Sequence, residues 1–470
     1  MTMLEAARRH GAPAVRALLC VVSAVLMAGA FAPFNYHWLV WVGFVPLLFA
    51  LRGASARHAA AYGGLFGLAF FALTVHWLWN LFGMFCASLF VISAIFPALF
   101  GSLQGRAAER FSPGTMIALT PTLWVACEFL RAECWALRFG WGALGYSQVQ
   151  APLVMQSASV VGVYGITWLI IFANALLFWT LTRPVDRGVH MMWMLGSVFA
   201  AGVKLSDGAC HRRVRAHCVG MLTAGCVQGE EVGPGEYERV AADAKGARLL
   251  VLPEYALMGD PAQDPDGPAF VRLARERDAY VVFGCKRYTD DTHGPFHNTA
   301  LVLDPRGEVV GEYAKRNPVP FFNDGKAGRR SVPVHSELGA IGLAVCYDAD
   351  FERPCREAVF RGAQILAIPT FDARLWGEAM HRQHEAMPRM RAVETGRYVL
   401  RSASSGYSMI VNPHGEVLSQ ATTQNPEAIT GAVCMQEGLT PYVRWGWLLA
   451  RVCVLIALAT AFGRRRRGAV

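Results

Sequence analysis

Apolar segments of membrane-spanning length occupy both ends of the chain, and they constrain its fold more than any other feature. A helix needs on the order of 20 apolar residues to cross a bilayer. Of the 470 residues, 54% are hydrophobic and only 17% are charged. Buried helices of a soluble protein are the alternative, but so many long apolar runs could not share one globular core. The pattern predicts about eight membrane spans, at residues 17–34, 37–51, 60–81, 84–101, 115–130, 164–182, 189–205 and 443–461.

The net charge of +9 is distributed as in a multi-pass membrane protein. Short gaps between predicted spans, at 35–36 and 82–83, contain no Lys or Arg. The alternate gaps and the chain ends carry arginines instead, namely Arg8, Arg9, Arg52, Arg57, Arg106, Arg110, Arg183, Arg187 and Arg464 to Arg467. By the positive-inside rule, both termini are cytoplasmic and residues 206–442 lie on the opposite side. The basic charge therefore marks topology and does not indicate a nucleic-acid partner.

The segment between the last two predicted spans has a different pattern, in which short β-rich runs alternate with helix-forming stretches. This alternation favours an α/β sheet covered by helices. The predicted strands are 248–252, 280–284, 299–303, 341–345, 364–368, 398–402 and 408–411. The predicted helices are 236–245, 269–278, 352–361 and 377–394. We therefore expect an N-terminal transmembrane bundle of about seven helices at 1–205, an exported α/β domain at 214–434 and a C-terminal transmembrane helix at 443–463.

The cysteines of the exported domain show no recognisable metal or disulfide pattern. Six of the twelve lie there, Cys218, Cys226, Cys285, Cys346, Cys355 and Cys434. There is no CxxC pair and no Cys/His zinc spacing, and the predicted helical pair His381 and His384 has no evident third ligand. An oxidising compartment would permit disulfides, but the spacing identifies no partners. We predict no disulfide framework and no metal site.

Three chemically complementary residues follow extended segments of the exported domain. Glu254 follows Leu-Val-Leu-Pro, Lys315 follows Glu-Tyr-Ala, and Cys346 ends a long apolar run. Each is weak evidence alone, since a Cys at the end of a strand is usually an inert small hydrophobe. Functional groups in open α/β folds gather beyond the carboxyl ends of strands. Together the three supply a base, an oxyanion stabiliser and a thiol nucleophile.

The order Glu, Lys, Cys is that of the nitrilase superfamily, and nearly the whole chain resembles its membrane-embedded members, the bacterial apolipoprotein N-acyltransferases. The matching segments are 122–131, 145–148 and 162–165 in the membrane half, and 227–229, 253–254, 297–299, 313–315, 319–321, 346–347, Asp372, 390–394 and Arg401 in the exported half. The resemblance implies a nitrilase-type α-β-β-α sandwich in the exported domain. It also implies that Glu254, Lys315 and Cys346 form the catalytic triad.

The same resemblance implies a two-step, ping-pong reaction at the bacterial inner membrane. Cys346 would take an acyl chain from a phospholipid, with phosphatidylethanolamine as the expected donor, and form a thioester. The acyl chain would then pass to the α-amino group of the diacylglyceryl-Cys of an apolipoprotein, the last step of lipoprotein maturation. The implied enzyme is a monomer without a cofactor, and its catalytic domain is periplasmic.

Two positions depart from the family pattern. Asn323 stands where the family has a glutamate, with Asp324 one residue later, and Asp348 replaces a second glutamate after Cys346 and Tyr347. We predict that Asn323, Asp324, Tyr347 and Asp348 support the triad. The same residues are also compatible with two other functions. One is a membrane-anchored C–N hydrolase of the amidase or nitrilase type, and the other is a catalytically silent lipoprotein-binding protein.

Overall fold

The computed structural model describes residues 12–182, 218–289, 294–422 and 425–463. The chain divides into two compact units, one of residues 1–157, 161–205 and 447–470 and the other of residues 158–160 and 206–446. In chain order the helices of the described residues before the first strand are α1 Pro13–Ala28, α2 Val40–Gly43, α3 Val45–Leu51, α4 Ala56–Thr74, α5 Leu78–Phe82, α6 Cys86–Ala108, α7 Pro113–Glu133, α8 Pro152–Met155 and α9 Ala158–Leu181. The predicted span at 189–205 lies outside the described residues.

Membrane-length helices occur at both ends of the chain. Within the described part, Leu78–Ala108, Ala158–Leu181 and Tyr442–Phe462 are long and apolar enough to cross a membrane. Pro13–Ala28 and His37–Leu51 are shorter apolar stretches. The structure thus supports a membrane protein with spans at both ends, and it supports the predicted number of about eight only in part.

Aromatic rings fill the centre of the helical unit. The Phe44 ring lies 4.8 Å from Trp124, 5.7 Å from Phe100 and 5.8 Å from Phe66, measured between ring centroids. These residues come from α4, α6, α7 and the residue that precedes α3. Edge-to-face aromatic pairs contribute about 0.5–1.5 kcal/mol beyond the area they bury. The rings therefore give this unit a well-packed core of its own.

Two six-stranded sheets form the second unit, with the orders β12-β1-β2-β3-β4-β5 and β11-β10-β9-β8-β7-β6. Their strands are β1 Cys218–Gln228, β2 Leu249–Val251, β3 Tyr280–Tyr288, β4 Phe296–Leu303, β5 Val309–Ala314, β6 Val334–Ser336, β7 Gly339–Leu343, β8 Ile365–Thr370, β9 Val399–Ala403, β10 Met409–Val411, β11 Val417–Gln420 and β12 Glu427–Gln436. The central pairs β1–β2, β2–β3, β7–β8 and β8–β9 are parallel. The outer pairs are antiparallel.

Helices connect the parallel strands and cover the outer sheet faces, as a parallel pair requires. They are α10 Pro234–Ala241, α11 Gly267–Arg277, α12 Glu352–Phe360, α13 Glu378–His384 and α14 Ala386–Thr395, and α15 Leu448–Phe462 follows in the first unit. One core lies between the two sheets and contains Val251, Val282 and Ile365. A second packs α10 and α11 on the first sheet through Val240 and Phe270. The predicted nitrilase-type sandwich is confirmed.

A disulfide joins Cys218 to Cys434, so the prediction of no disulfide framework is wrong at this pair. The two cysteines lie 216 residues apart, and β1 and β12 meet as antiparallel neighbours only in the folded sheet. Sequence spacing could not show this pairing. Closing so long a loop constrains the unfolded chain, an effect on the order of several kcal/mol for a loop of 100 residues or more.

Candidate active site

The three predicted catalytic residues all lie at the carboxyl ends of strands. Glu254 follows β2, Lys315 directly follows β5, and Cys346 opens a short 3-10 turn, Cys346–Asp350, after β7. All three are buried, with exposed fractions of 3%, 1% and 5%. Buried charges are rare unless they are paired, so the surroundings of Glu254 and Lys315 decide what they can do.

Glu254 uses both carboxylate oxygens. Its Oε1 accepts hydrogen bonds from Lys315 Nζ at 2.8 Å and from Asn298 Nδ2 at 2.6 Å. Its Oε2 accepts the backbone N–H of Phe371 at 2.8 Å. The carboxylate is thereby fixed between a cation on the first sheet and a peptide that follows β8 of the second sheet.

The same peptide also contacts Cys346, the predicted nucleophile. The Cys346 thiol donates to the carbonyl oxygen of Phe371 at 3.5 Å, so Phe371 touches both Cys346 and Glu254. Cys346 has a φ of +46°, a left-handed conformation that is uncommon for a residue with a side chain. Strained backbone of this kind costs about 1–3 kcal/mol and persists where surrounding contacts hold it.

The electrostatic environment keeps the Cys346 thiol neutral and the Lys315 ammonium protonated, and it raises the proton affinity of Glu254. Burial raises the pKa of Cys346 well above its usual value, Glu254 adds to this, and Lys315 opposes it. Burial also raises the pKa of Glu254 against the opposing effect of Lys315. For Lys315, burial lowers the pKa, but Glu254 and other neighbours outweigh it and raise the pKa well above normal. A carboxylate with a raised pKa is a better proton acceptor.

Asp324 supplies a second carboxylate to Lys315. Its Oδ2 lies 2.8 Å from Lys315 Nζ, and its Oδ1 accepts hydrogen bonds from Tyr255 and Asn298, each at 2.6 Å. Lys315 holds the pKa of this carboxyl below its usual value despite burial. Asn323 is exposed. The structure therefore places Asp324, one residue beyond the expected position, against the lysine.

Asp348 and Tyr347 shape the turn that carries Cys346. Asp348 accepts hydrogen bonds from Tyr313 Oη at 2.8 Å and from the backbone N–H of Asn317 at 2.9 Å. Tyr347 packs edge-to-face on Phe351, with ring centroids 4.9 Å apart. Asp348 thus ties the turn after β7 to the segment that follows Lys315, and it does not substitute for Asp324.

Three groups of the site were not predicted from the sequence: Asn298, Tyr255 and the Phe371 peptide. Asn298 is a buried amide in β4, and its Nδ2 reaches both Glu254 and Asp324. The available signal was the polar run 297–299 at the start of a strand whose remaining residues are apolar. The Phe371 contacts could not be predicted from the sequence, because they are made by backbone groups, which every residue type has.

A potential set of metal ligands lies beside the thiol. Donor atoms of Cys346, Asp372 and His384 lie within 4.8 Å of one another, so His384 does have the neighbours that the sequence failed to reveal. However, its Nδ1 lies 2.8 Å from Asp372 and its Nε2 3.2 Å from Asp350. Arg401 also contacts Asp372. A metal ion would have to displace a proton next to a guanidinium, so the arrangement suits an imidazolium better.

Comparison with known proteins identifies the family. Residues 199–438 match the carbon-nitrogen hydrolase family. The chain belongs to this family. Residues 23–176 in addition match the apolipoprotein N-acyltransferase N-terminal domain.

Two relatives that match over nearly their full length are both named apolipoprotein N-acyltransferase. The chain is 28% identical to the apolipoprotein N-acyltransferase of Geobacter metallireducens over 509 residues, covering 95% of each chain. It is 28% identical to that of Methylococcus capsulatus over 501 residues, covering 96% of this chain and 97% of the relative. A solved carbon-nitrogen hydrolase from Helicobacter pylori is 19% identical and covers 52% of this chain and 99% of its own, with a TM-score of 0.40. The resemblance predicted from the sequence is confirmed.

Proposed function

We propose that the protein is an apolipoprotein N-acyltransferase, which moves an acyl chain from a phospholipid to the α-amino group of the diacylglyceryl-Cys of apolipoproteins. The observation that carries the proposal is the buried cluster of Glu254, Lys315 and Cys346 in a chain that also has membrane-length helices. Full-length relatives with this name support it.

The first half-reaction forms a thioester. Glu254 takes the thiol proton, and Cys346 Sγ attacks the ester carbonyl of the phospholipid. Lys315 stabilises the resulting oxyanion, for which one donor is typically worth ~10²–10³ in rate. The intermediate collapses, the C–O bond breaks, and Glu254 returns the proton to the leaving lysophospholipid.

The second half-reaction releases the thiol. The α-amino nitrogen of the lipoprotein attacks the thioester carbonyl, and Glu254 takes the amine proton. Lys315 again stabilises the oxyanion, the C–S bond breaks, and the proton passes to Cys346 Sγ. Glu254 thus acts in both halves, which is the ping-pong scheme expected of covalent catalysis.

Exposed apolar side chains near Phe371 fit lipid substrates. Phe321 and Leu375 are 68% and 85% exposed. The Trp376 ring lies 5.6 Å from Phe371 and 6.3 Å from Phe322 between centroids. Contiguous exposed apolar groups mark membrane or ligand contacts. We propose that these side chains accept the acyl chains of a phospholipid donor, with phosphatidylethanolamine as the expected donor. We further propose that the enzyme works as a monomer.

The proposed location is the bacterial inner membrane, with the catalytic domain in the periplasm and both termini in the cytoplasm. The alternation of arginine-rich and arginine-poor gaps supports this topology. The disulfide between Cys218 and Cys434 fits an oxidising compartment. Alkaline phosphatase fused after Lys204 should be active, whereas the same fusion after Arg467 should be inactive. The reverse activities would contradict the topology.

Gly284→Ala should slow acyl transfer by about 10²-fold, the effect of a displacement near 1 Å. A Cβ at Gly284 would lie 2.5 Å from Glu254 Cα and 2.8 Å from Tyr255 N, so the backbone that carries the base must shift. Gly220→Ala in β1 is the matched control, because a Cβ there meets no described atom within 4 Å. Equal rates for the two variants in a lipopeptide acylation assay would contradict the assigned position of the base.

The proposed function is tested with the purified full chain in detergent, phosphatidylethanolamine and a diacylglyceryl lipopeptide. The lipopeptide should gain one amide-linked acyl chain by mass spectrometry while lysophospholipid appears. Hydrolysis of small amides without transfer would favour a C–N hydrolase. Binding of the lipopeptide with neither reaction would favour the silent binding protein.

A further inference from the structure

His384 is a buried histidine that lies between two carboxylates beside the nucleophile. It is 3% exposed and ends α13. Its Nδ1 lies 2.8 Å from Asp372 Oδ1, and its Nε2 lies 3.2 Å from Asp350 Oδ1. A ring nitrogen, a carboxylate oxygen of Asp372 and Cys346 Sγ all lie within 4.8 Å of one another. The proposed reaction steps give this histidine no role.

The two carboxylates belong to the two segments that hold the thiol. Asp350 ends the 3-10 turn that begins at Cys346. Asp372 directly follows Phe371, whose carbonyl accepts the thiol hydrogen bond and whose N–H donates to Glu254. One imidazole ring therefore connects the turn of the nucleophile to the peptide that touches the base.

The positions of the ring nitrogens indicate a cation. A neutral imidazole has a single N–H donor, whereas both nitrogens of His384 face carboxylate oxygens. Arg401 from β9 also binds Asp372, so a protonated His384 gives the cluster two positive and two negative groups. Burial lowers the pKa of His384, but Asp372 and Asp350 outweigh this and raise it to about 9. A neutral ring would leave one buried carboxylate uncompensated, which is costly.

We propose that His384 is a positioning residue that bridges Asp350 and Asp372 as a cation. The bridge holds the Cys346 thiol in the orientation needed for acylation, so this inference rests on the proposed acyl transfer. His384 contacts no substrate in this role. Its loss lowers the rate of thioester formation and leaves the apparent KM for the phospholipid unchanged.

The bridge has a defined pH dependence. The pKa of His384 is raised, so its contribution is complete below the ordinary histidine value of about 6.5 and disappears as the pH rises through about 9. The groups that face it are Asp350, Asp372, Arg401 and Cys346. Lys315 retains its proton to higher pH, because its pKa is raised well above normal. Thioester formation by the unaltered chain should therefore decline around pH 9.

The test compares His384→Gln, Asp350→Asn, the double variant and His335→Gln, all as full chains in detergent with phosphatidylethanolamine in mixed micelles. His335 is an exposed histidine on β6 and serves as the matched control. We expect His384→Gln to form the Cys346 thioester about 10²-fold more slowly. The double variant should form the thioester at least about tenfold faster than His384→Gln, because it no longer buries an uncompensated Asp350. The decline of the rate near pH 9 should be absent from the double variant.

Alkylation of Cys346 by iodoacetamide provides a readout that needs no acyl donor. If the unaltered chain is alkylated but forms no thioester, the proposed function fails, and slower alkylation of His384→Gln still supports the bridge. Equal rates for His384→Gln and the unaltered chain in both assays overturn the proposed bridge. A double variant that forms the thioester no faster than His384→Gln also overturns the bridge. Where His384→Gln alone does not fold, the pH profile of the unaltered chain decides: a decline near pH 9 supports the bridge and a flat profile overturns it.

Discussion

Glu254→Gln should lower the rate of thioester formation on Cys346 by ~10²–10⁴, the usual contribution of a positioned general base. The amide keeps the shape of the side chain but cannot take the thiol proton, and the thiol is neutral because burial and Glu254 raise its pKa. Asp324 would still face the Lys315 ammonium at 2.8 Å, so the cation is not left unpaired. The rate is measured by intact mass of the acyl-enzyme after mixing with phosphatidylethanolamine.

Glu308→Gln is the matched control for this substitution. Glu308 lies in the exposed connection between β4 and β5, so the same chemical change there should leave the rate unaltered. Thermal unfolding in detergent should show both variants folded, with a lower midpoint for Glu254→Gln, because its amide nitrogen replaces an oxygen that accepts a buried hydrogen bond. A Glu254→Gln enzyme that accumulates the thioester at the normal rate would remove Glu254 from the mechanism.

Asp324→Asn should slow thioester formation by about 10²-fold, because Lys315 loses one of the two carboxylates that position it. Asp324 also contributes to the raised pKa of Glu254, so neutralising it weakens the base as well. Single-turnover acylation measures this rate directly. The effect should be on kcat, since Asp324 is buried and contacts Lys315.

The adjacent Asn323 gives the control. Because its side chain is exposed, Asn323→Ala and Asn323→Glu should both leave acylation unchanged. A rate increase in Asn323→Glu would mean that the carboxylate expected from the family pattern acts from position 323. It would contradict the assignment of this role to Asp324.

Two of the three strands that carry the triad were predictable because their apolar runs are continuous and end at polar residues, whereas β5 before Lys315 was missed because Gly311 and Glu312 interrupt it. The predicted strands 248–252 and 341–345 overlap β2 and β7, which precede Glu254 and Cys346. Missed strands have weaker patterns, since β6 has three residues and β1 contains Gly220 and Gly225. The predicted helix 377–394 is two helices, Glu378–His384 and Ala386–Thr395.

The contacts that complete the site could not be predicted, because they join residues distant in the chain. Glu254 meets the Phe371 peptide across 117 residues, and His384 meets Asp350 through tertiary packing alone. The predicted span 115–130 corresponds to α7, which is not among the described helices that are long and apolar enough to cross a membrane. α7 contains Glu128, whose carboxylate accepts hydrogen bonds from the Leu144 N–H and from Thr167. Buried polar groups of this kind lower the hydropathy of a helix.

Intact-mass analysis of the acyl-enzyme tests the central claim most directly. After the full chain is mixed with phosphatidylethanolamine, its mass should increase by one acyl chain, and hydroxylamine should remove the addition. The addition should be absent from Cys346→Ala and present in Cys285→Ala and Cys355→Ala, whose thiols are also buried. A Cys346→Ala chain that still carries the acyl group, or still acylates a lipopeptide, would contradict covalent catalysis by Cys346.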